Sequence, residues 1–209
     1  PDNAEDLVGF AGIREGLIQI ATNRVVMAAI VALSFSFGML FAMLVTVQPV
    51  FDITYARAEV FPAWFAVIAV LSMSGSLLNA RFVERVGMRP MVSWAFAGQA
   101  LFTGALAILT AVLPGGLPFA VYFVWVTSVF SMMGLTIGNL NALALEPMGH
   151  HAGLAASVVS ATATVLSALM AIPVGLAFDG TPVPAMIGIC LFAASGLIAM
   201  AFTRGHKPA

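Results

Sequence analysis

Charged residues are scarce in this chain of 209 residues: Asp, Glu, Lys and Arg make up 8% of it, against 61% hydrophobic residues. A soluble domain of this length would need a charged shell around its core, so the composition excludes an ordinary soluble fold. The one cysteine, Cys190, leaves no intrachain disulfide to form. The chain has eight Lys and Arg residues, and they do not cluster into the basic patch that nucleic-acid binding requires.

Catalytic constellations are also missing. An intramembrane serine protease needs a Ser in a Gly-rich turn and a His at membrane depth. Residues 72–75 (Ser-Met-Ser-Gly) match the first requirement faintly, but the histidines all lie outside the apolar segments, at His150, His151 and His206. The adjacent histidine pair and Glu146 form a weak metal signal, because Pro147 and Gly149 interrupt the helical geometry that would align them. We therefore predict no enzymatic activity, no metal and no cofactor.

The chain does contain six long apolar stretches. Each reaches the ~20 residues that a helix needs to cross the ~30 Å hydrocarbon layer of a bilayer. The stretches cover about residues 25–48, 61–82, 90–112, 118–143, 152–178 and 183–202. The sequence therefore predicts an all-α membrane protein with a six-helix transmembrane bundle over residues 25–209.

Residues 1–24 precede the first apolar stretch. Apolar side chains recur there at three- and four-residue spacing, which predicts a helix on the membrane surface, at Leu7, Phe10, Ile13, Leu17 and Ile20. The chain starts with Pro1, and this segment has neither the basic start nor the apolar block of a secretion signal. We expect a connecting segment within a longer protein.

The basic residues predict the orientation. Seven of them flank the spans on one side, whereas Arg57 alone lies on the other; the seven are Arg14, Arg24, Arg81, Arg85, Arg89, Arg204 and Lys207. Because basic residues are retained in the cytoplasm, both ends of this segment are expected to be cytoplasmic.

The segment between the second and third spans, residues 75–90, reads GSLLNARFVERVGMRP. It resembles the Gly-x-x-x-Asp-Arg-x-Gly-Arg loop motif of the major facilitator superfamily, with Asn79 in place of the usual acid and a longer spacing to Gly87. The resemblance implies a cytoplasmic gate, in which guanidinium groups bond carboxylates or helix C-terminal carbonyls. Simple anchoring of the arginines at the inner membrane surface is the alternative.

Two further stretches of the sequence resemble one subgroup of this superfamily. Residues 138–157 look like the junction of the tenth and eleventh helices of the Bcr/CflA-type multidrug efflux transporters, which are a drug:proton antiporter subgroup of that superfamily. Residues 177–184 look like the outer loop that precedes the last helix of the same transporters. The resemblance implies twelve helices in 3+3 inverted repeats, of which this chain supplies the seventh to the twelfth. It also implies a bacterial inner-membrane protein that binds small amphipathic compounds, with an N-terminal six-helix half as its partner.

Candidate substrate contacts come from two helix faces that mix aromatic, sulfur and uncharged polar side chains. Such faces suit lipophilic, often cationic compounds. We predict substrate contacts at Phe37, Phe41, Gln48, Trp125, Ser128, Met132 and Asn139. Pro173 removes a backbone hydrogen bond near the outer end of the fifth span, which allows a bend there. The predicted gating residues are Asn79, Arg81, Arg85, Gly87, Arg89, Pro173 and Gly175.

No acidic residue falls near the middle of a predicted span, where a buried carboxylate would indicate proton coupling. The coupling protons are therefore expected to depend on the N-terminal half. The sequence favours the C-terminal half of an efflux antiporter. Two alternatives stay open: a major facilitator importer of a small metabolite, and a six-helix structural or assembly protein that transports nothing.

Overall fold

The computed structural model describes residues 2–113 and 115–203, with side chains from residue 12 onward. Across these residues the chain is helical and contains no strand. The helices are α1 Asp2–Thr22, α2 Arg24–Pro49, α3 Phe61–Val86, α4 Met88–Val112, α5 Phe119–Leu145, α6 Ala152–Leu176 and α7 Val183–Ala201. The predicted all-α fold is confirmed.

Helices α2 to α7 are each long and apolar enough to cross a membrane, as predicted. In hydrocarbon no water satisfies backbone N–H and C=O groups, so apolar runs of this length form helices that bond internally. The first span is longer than its apolar pattern indicates, because α2 continues through a π-helical turn, Val50–Thr54. Pro49, which has no N–H to donate, lies where the α-helix gives way to this turn.

Helices α3 and α4 are separated by a single residue, Gly87. Its φ of 88° lies in the left-handed region that glycine adopts without strain. Arg85 lies in the last turn of α3 and Arg89 in the first turn of α4. Both helices therefore extend beyond the predicted span limits at residues 82 and 90, and the arginines are carried on helix ends instead of a loop.

The bundle is built from two triplets, α2–α3–α4 and α5–α6–α7, that pack in equivalent ways. In this correspondence α2 matches α5, α3 matches α6 and α4 matches α7. The contact of α3 with α5 therefore has its equivalent in the contact of α6 with α2, and the contact of α4 with α5 has its equivalent in that of α7 with α2. The equivalent pairs α2–α5 and α4–α7 also contact each other. Three spans reverse the direction of the chain, so this is the contact pattern of an inverted repeat. Helices α2 and α5 are the central pair. Helices α4 and α7 form a second layer that packs against this pair, and α3 and α6 lie on either side of it.

Helix α1 contacts the bundle near the start of α6. Gln19 Nε2 donates a hydrogen bond to the carbonyl oxygen of Pro147 at 3.3 Å. Gly16 lies against the side chains of Leu154 and His151, and Ile20 is buried. The predicted positions Leu7 and Phe10 lie outside the residues whose side chains are described. That α1 lies on a membrane surface stays a prediction.

Candidate functional site: the open face of α2 and the helix ends around Gly87

Helix α2 is the most buried of the spans, yet one of its faces stays open. The hydroxyl oxygens of Ser36 and Thr136 are 2.7 Å apart and join α2 to α5. Val45 lies against Gly175 and joins α2 to α6, while α7 packs on the side that faces away from this opening. Between the α5 and α6 contacts a stripe remains that none of these neighbours covers.

This open stripe carries three of the predicted substrate contacts, Phe37, Phe41 and Gln48. The rings of Phe37 and Phe41 are half-buried and stacked, with centroids 6.3 Å apart. Gln48 is exposed and borders a shallow pocket together with Asp52. Sequence reasoning missed Asp52 as a neighbour of the stripe, because only the π-helical turn extends α2 far enough to put this carboxylate there.

The predicted contacts on α5 lie elsewhere, against α4. Trp125 is fully buried, and its Nε1 donates a hydrogen bond to the hydroxyl of Thr103 at 3.0 Å. Gln99 Nε2 donates to the same hydroxyl at 2.9 Å and to the hydroxyl of Ser128 at 3.3 Å. These four side chains form a polar cluster between α4 and α5, in which Ser128 is partly buried and the other three are buried. Such bonds hold membrane helices together, at ~0.6 kcal/mol on average and up to ~2 kcal/mol.

The structure does not bring the α5 residues to the open stripe of α2. Met132 is buried on the same side of α5 as Trp125 and Ser128, and Asn139 bonds with α3. Helical spacing identifies a face but not the neighbour that covers it, so the sequence could not separate these residues from the α2 set. Sequence reasoning also missed Gln99 and Thr103, although polar residues four apart in an apolar span were a usable signal.

Two polar contacts join α3, α4 and α5 near the end of the bundle where Gly87 lies. Asn139 Nδ2 donates a hydrogen bond to Asn79 Oδ1 at 2.6 Å, which ties α5 to α3. Arg89 Nη2 pairs with Glu146 Oε2 at 3.4 Å, which ties α4 to the end of α5. The Arg89 Nε atom is buried and has no hydrogen-bond partner among the described residues. Sequence reasoning considered Glu146 only as a metal ligand. It therefore did not predict that Glu146 is the carboxylate that pairs with Arg89 of the loop motif.

The other predicted gating residues are not gathered at this contact. Arg81 and Arg85 are exposed on α3, and no carboxylate of the described part of the chain lies within ion-pair distance of either. Gly87 separates α3 from α4. Pro173 lies within α6, which is continuous through it, and Gly175 packs on α2 near the other end of the bundle. Their role in gating stays a prediction.

The C-terminal end of α2 is fixed by aromatic contacts. The Tyr55 hydroxyl donates a hydrogen bond to the Leu117 carbonyl at 2.9 Å, and burial raises the pKa of Tyr55 to about 12. The Arg57 guanidinium lies over the Phe119 ring, 4.4 Å from its centroid. The segment after α2 is therefore held against the start of α5, close to the pocket of Gln48 and Asp52.

One face of α6 exposes small side chains that the described part of the chain leaves accessible. Gly153, Ser157 and Ala161 are exposed and one helical turn apart, and a Cβ on Gly153 would meet no atom within 4 Å. By contrast, Gly75 of α3 and Gly134 of α5 lie where those two helices touch. Small residues let membrane helices approach closely, so the α6 face has the form of a helix-docking surface that none of the described residues covers.

A six-helix membrane bundle made of two inverted triplets is the architecture of half of a secondary transporter. Over 163 residues, or 76% of the chain, the sequence is 32% identical to a bicyclomycin resistance protein homolog of Haemophilus influenzae. The match covers 39% of that protein, so the chain spans well under half the length of this curated relative. No family model matches the chain, and no solved structure matches it. The similarity confirms the resemblance to the Bcr/CflA-type efflux transporters of the major facilitator superfamily.

Proposed function

We propose that this chain is the C-terminal half of a proton-coupled multidrug efflux antiporter, which exports small amphipathic compounds from bacteria by alternating access. The similarity to a resistance protein carries the proposal. The two inverted triplets support it, because transporters of this superfamily rock one six-helix half against the other around a site between them. In this assignment both ends of the segment lie on the cytoplasmic side of the inner membrane.

We assign the open stripe of α2 to the wall of the transport cavity. Phe37 and Phe41 offer aromatic faces that attract cations, and Gln48 adds hydrogen-bonding groups. Asp52, next to Gln48, places a negative charge at the outer end of this wall, which favours cationic amphipathic compounds. Trp125, Ser128, Met132 and Asn139 support the wall from behind in this proposal, by holding α5 against α3 and α4.

The cytoplasmic gate is assigned to the helix ends around Gly87. Arg89 and Glu146 tie α4 to α5, and the exposed Arg81 and Arg85 supply further donors on α3. An exposed ion pair contributes only ~0.2–1 kcal/mol to stability, so its loss is expected to change the balance of conformations without unfolding the bundle. Pro173 and Gly175 are assigned to a hinge at the outer end of α6.

The second half is the partner that the exposed small-residue face of α6 would fit. The acids of the described helices lie towards the span ends, as Asp52 and Glu146 do. We therefore assign the intramembrane carboxylates that exchange protons to the N-terminal half.

Efflux by the full-length transporter tests the proposal. We expect Phe41→Ala to reduce export of a lipophilic cation such as ethidium several-fold while the protein inserts normally, since the wall loses an aromatic face. Phe102→Ala is the matched control, because Phe102 lies on α4 away from the stripe and is similarly half-exposed. Equal export by both variants would refute the cavity assignment. Accumulation of the compound above the level of cells without the protein would favour an importer.

A further inference from the structure

A groove opens on the surface of the bundle between α2 and α7. It measures about 490 Å³ and is apolar along most of its length. The side chains that form it are Met27, Val31 and Phe35 from α2 and Ile198 and Phe202 from α7. Arg24 closes the groove at the end that the charge distribution predicts to be cytoplasmic.

The length of the groove matches one leaflet of a bilayer. From Arg24 to Phe35 the chain advances eleven residues along α2. At 1.5 Å per residue this is about 16 Å, or roughly half of the ~30 Å hydrocarbon layer. A groove that starts at the charged end and stops near the midplane fits an acyl chain of the inner leaflet.

Arg24 supplies the charge that a lipid headgroup would meet. Its guanidinium carbon lies 5.3 Å from the centroid of the Phe202 ring, which holds the cation at the mouth of the groove. Among the described residues no carboxylate lies within 4.0 Å of it. Along the sequence, Arg204 and Lys207 follow Phe202 closely, and no Asp or Glu follows Asp179. Arg24 therefore provides a positive charge at the mouth of the groove that is complementary to an anionic headgroup.

We propose that this groove binds an anionic phospholipid of the cytoplasmic leaflet, with one acyl chain between α2 and α7 and the phosphate at Arg24. The apolar walls account for the chain and the arginine for the headgroup. Lys and Arg at this depth extend their charged ends to the interface, where they bind phosphate. The site lies on α7 and on the α7 side of α2, apart from the open stripe, so it is independent of the compound transported.

Native mass spectrometry of the full-length protein in detergent tests the site. The probes are phosphatidylglycerol and phosphatidylcholine with identical acyl chains, titrated separately. We expect the wild type to retain phosphatidylglycerol more tightly, and Arg24→Gln to weaken its binding about fivefold, equivalent to the ~1 kcal/mol that one basic side chain contributes at an anionic leaflet. Arg14→Gln is the matched control, since Arg14 is also exposed but lies on α1, outside the groove.

A second variant tests the acyl chain. Ser195 borders the groove, so Ser195→Phe fills it and leaves Arg24 in place. We expect this variant to lose phosphatidylglycerol as well. Equal affinity of the wild type for the two lipids would overturn the proposal, and so would equal effects of Arg24→Gln and Arg14→Gln. If Arg24→Gln does not fold, the comparison of lipids on the wild type and the Ser195→Phe result decide the question.

Discussion

The side chain of Thr103 joins α4 to α5 through a hydrogen bond inside an otherwise apolar bundle. It is fully buried, and its hydroxyl accepts hydrogen bonds from both Gln99 and Trp125. Replacing it with Val keeps the shape but leaves two buried donors without this acceptor. An unsatisfied buried group costs ~1–3 kcal/mol, so we expect Thr103→Val to lower the free energy of unfolding by about that amount. Thermal unfolding of the purified protein in detergent measures the loss.

Thr110→Val is the matched control for this prediction. Thr110 lies on the same helix, but its hydroxyl donates to the carbonyl of Leu106 within α4 at 2.7 Å, and its contact with another helix is a long one to the sulfur of Met186 on α7 at 3.8 Å. We expect the control to unfold near the wild-type temperature. Similar losses in both variants would contradict the structural role assigned to the polar cluster.

Arg89 is the residue at which a gate and a membrane anchor can be distinguished. Its ion pair with Glu146 joins α4 to α5, and an anchor would need no carboxylate. We expect Arg89→Gln to reduce efflux by the full-length transporter at normal expression, and the exchange Arg89→Glu with Glu146→Arg to restore part of it. Efflux and expression are measured in the same cells. Unchanged efflux in Arg89→Gln would leave anchoring as the role of this arginine.

At the scale of elements, the packing of α3 on α5 depends on glycine. A Cβ at Gly75 would collide with the Ser131 carbonyl of α5, whereas at Gly98 of α4 it would meet nothing within 4 Å. Backbone cannot move aside as a flexible side chain does, so we expect Gly75→Ala to destabilise the bundle by ~1–3 kcal/mol. Gly98→Ala should be neutral or slightly stabilising, because Ala favours helix over Gly. Thermal unfolding compares the two, and equal midpoints would show that α3 and α5 do not touch at Gly75.

At the scale of the whole molecule, the proposed function assigns to this bundle one wall of the transport cavity. The open stripe of α2 and the exposed small-residue face of α6 have no covering element among the described residues. We expect this chain, expressed alone, to insert into the membrane but confer no drug resistance, and co-expression with the matching N-terminal half to restore part of it. Minimum inhibitory concentrations measure the difference. Drug transport by the reconstituted chain alone would contradict the assignment as a half-transporter.

The sequence by itself determined the helices, because each apolar run is long enough to cross the bilayer as a helix. A helix satisfies the backbone hydrogen bonds of such a run within the run itself, where hydrocarbon offers no partners. It also indicated the family, from residues 138–157 and 177–184, which the resistance-protein relative then confirmed. The loop motif placed Gly87 between the second and third spans, and in the structure both helices run closer to it than hydropathy indicated.

Only the tertiary structure decided which side chains meet. Trp125 and Phe41 have equivalent sequence signals, a large aromatic residue in a striped span, yet one is buried against Thr103 and the other lies on the open stripe. Glu146 became the partner of Arg89 through the packing of α4 on α5, across 57 residues of chain. Helical periodicity defines the face on which a side chain lies, and the neighbour of that face is set by how six helices pack together.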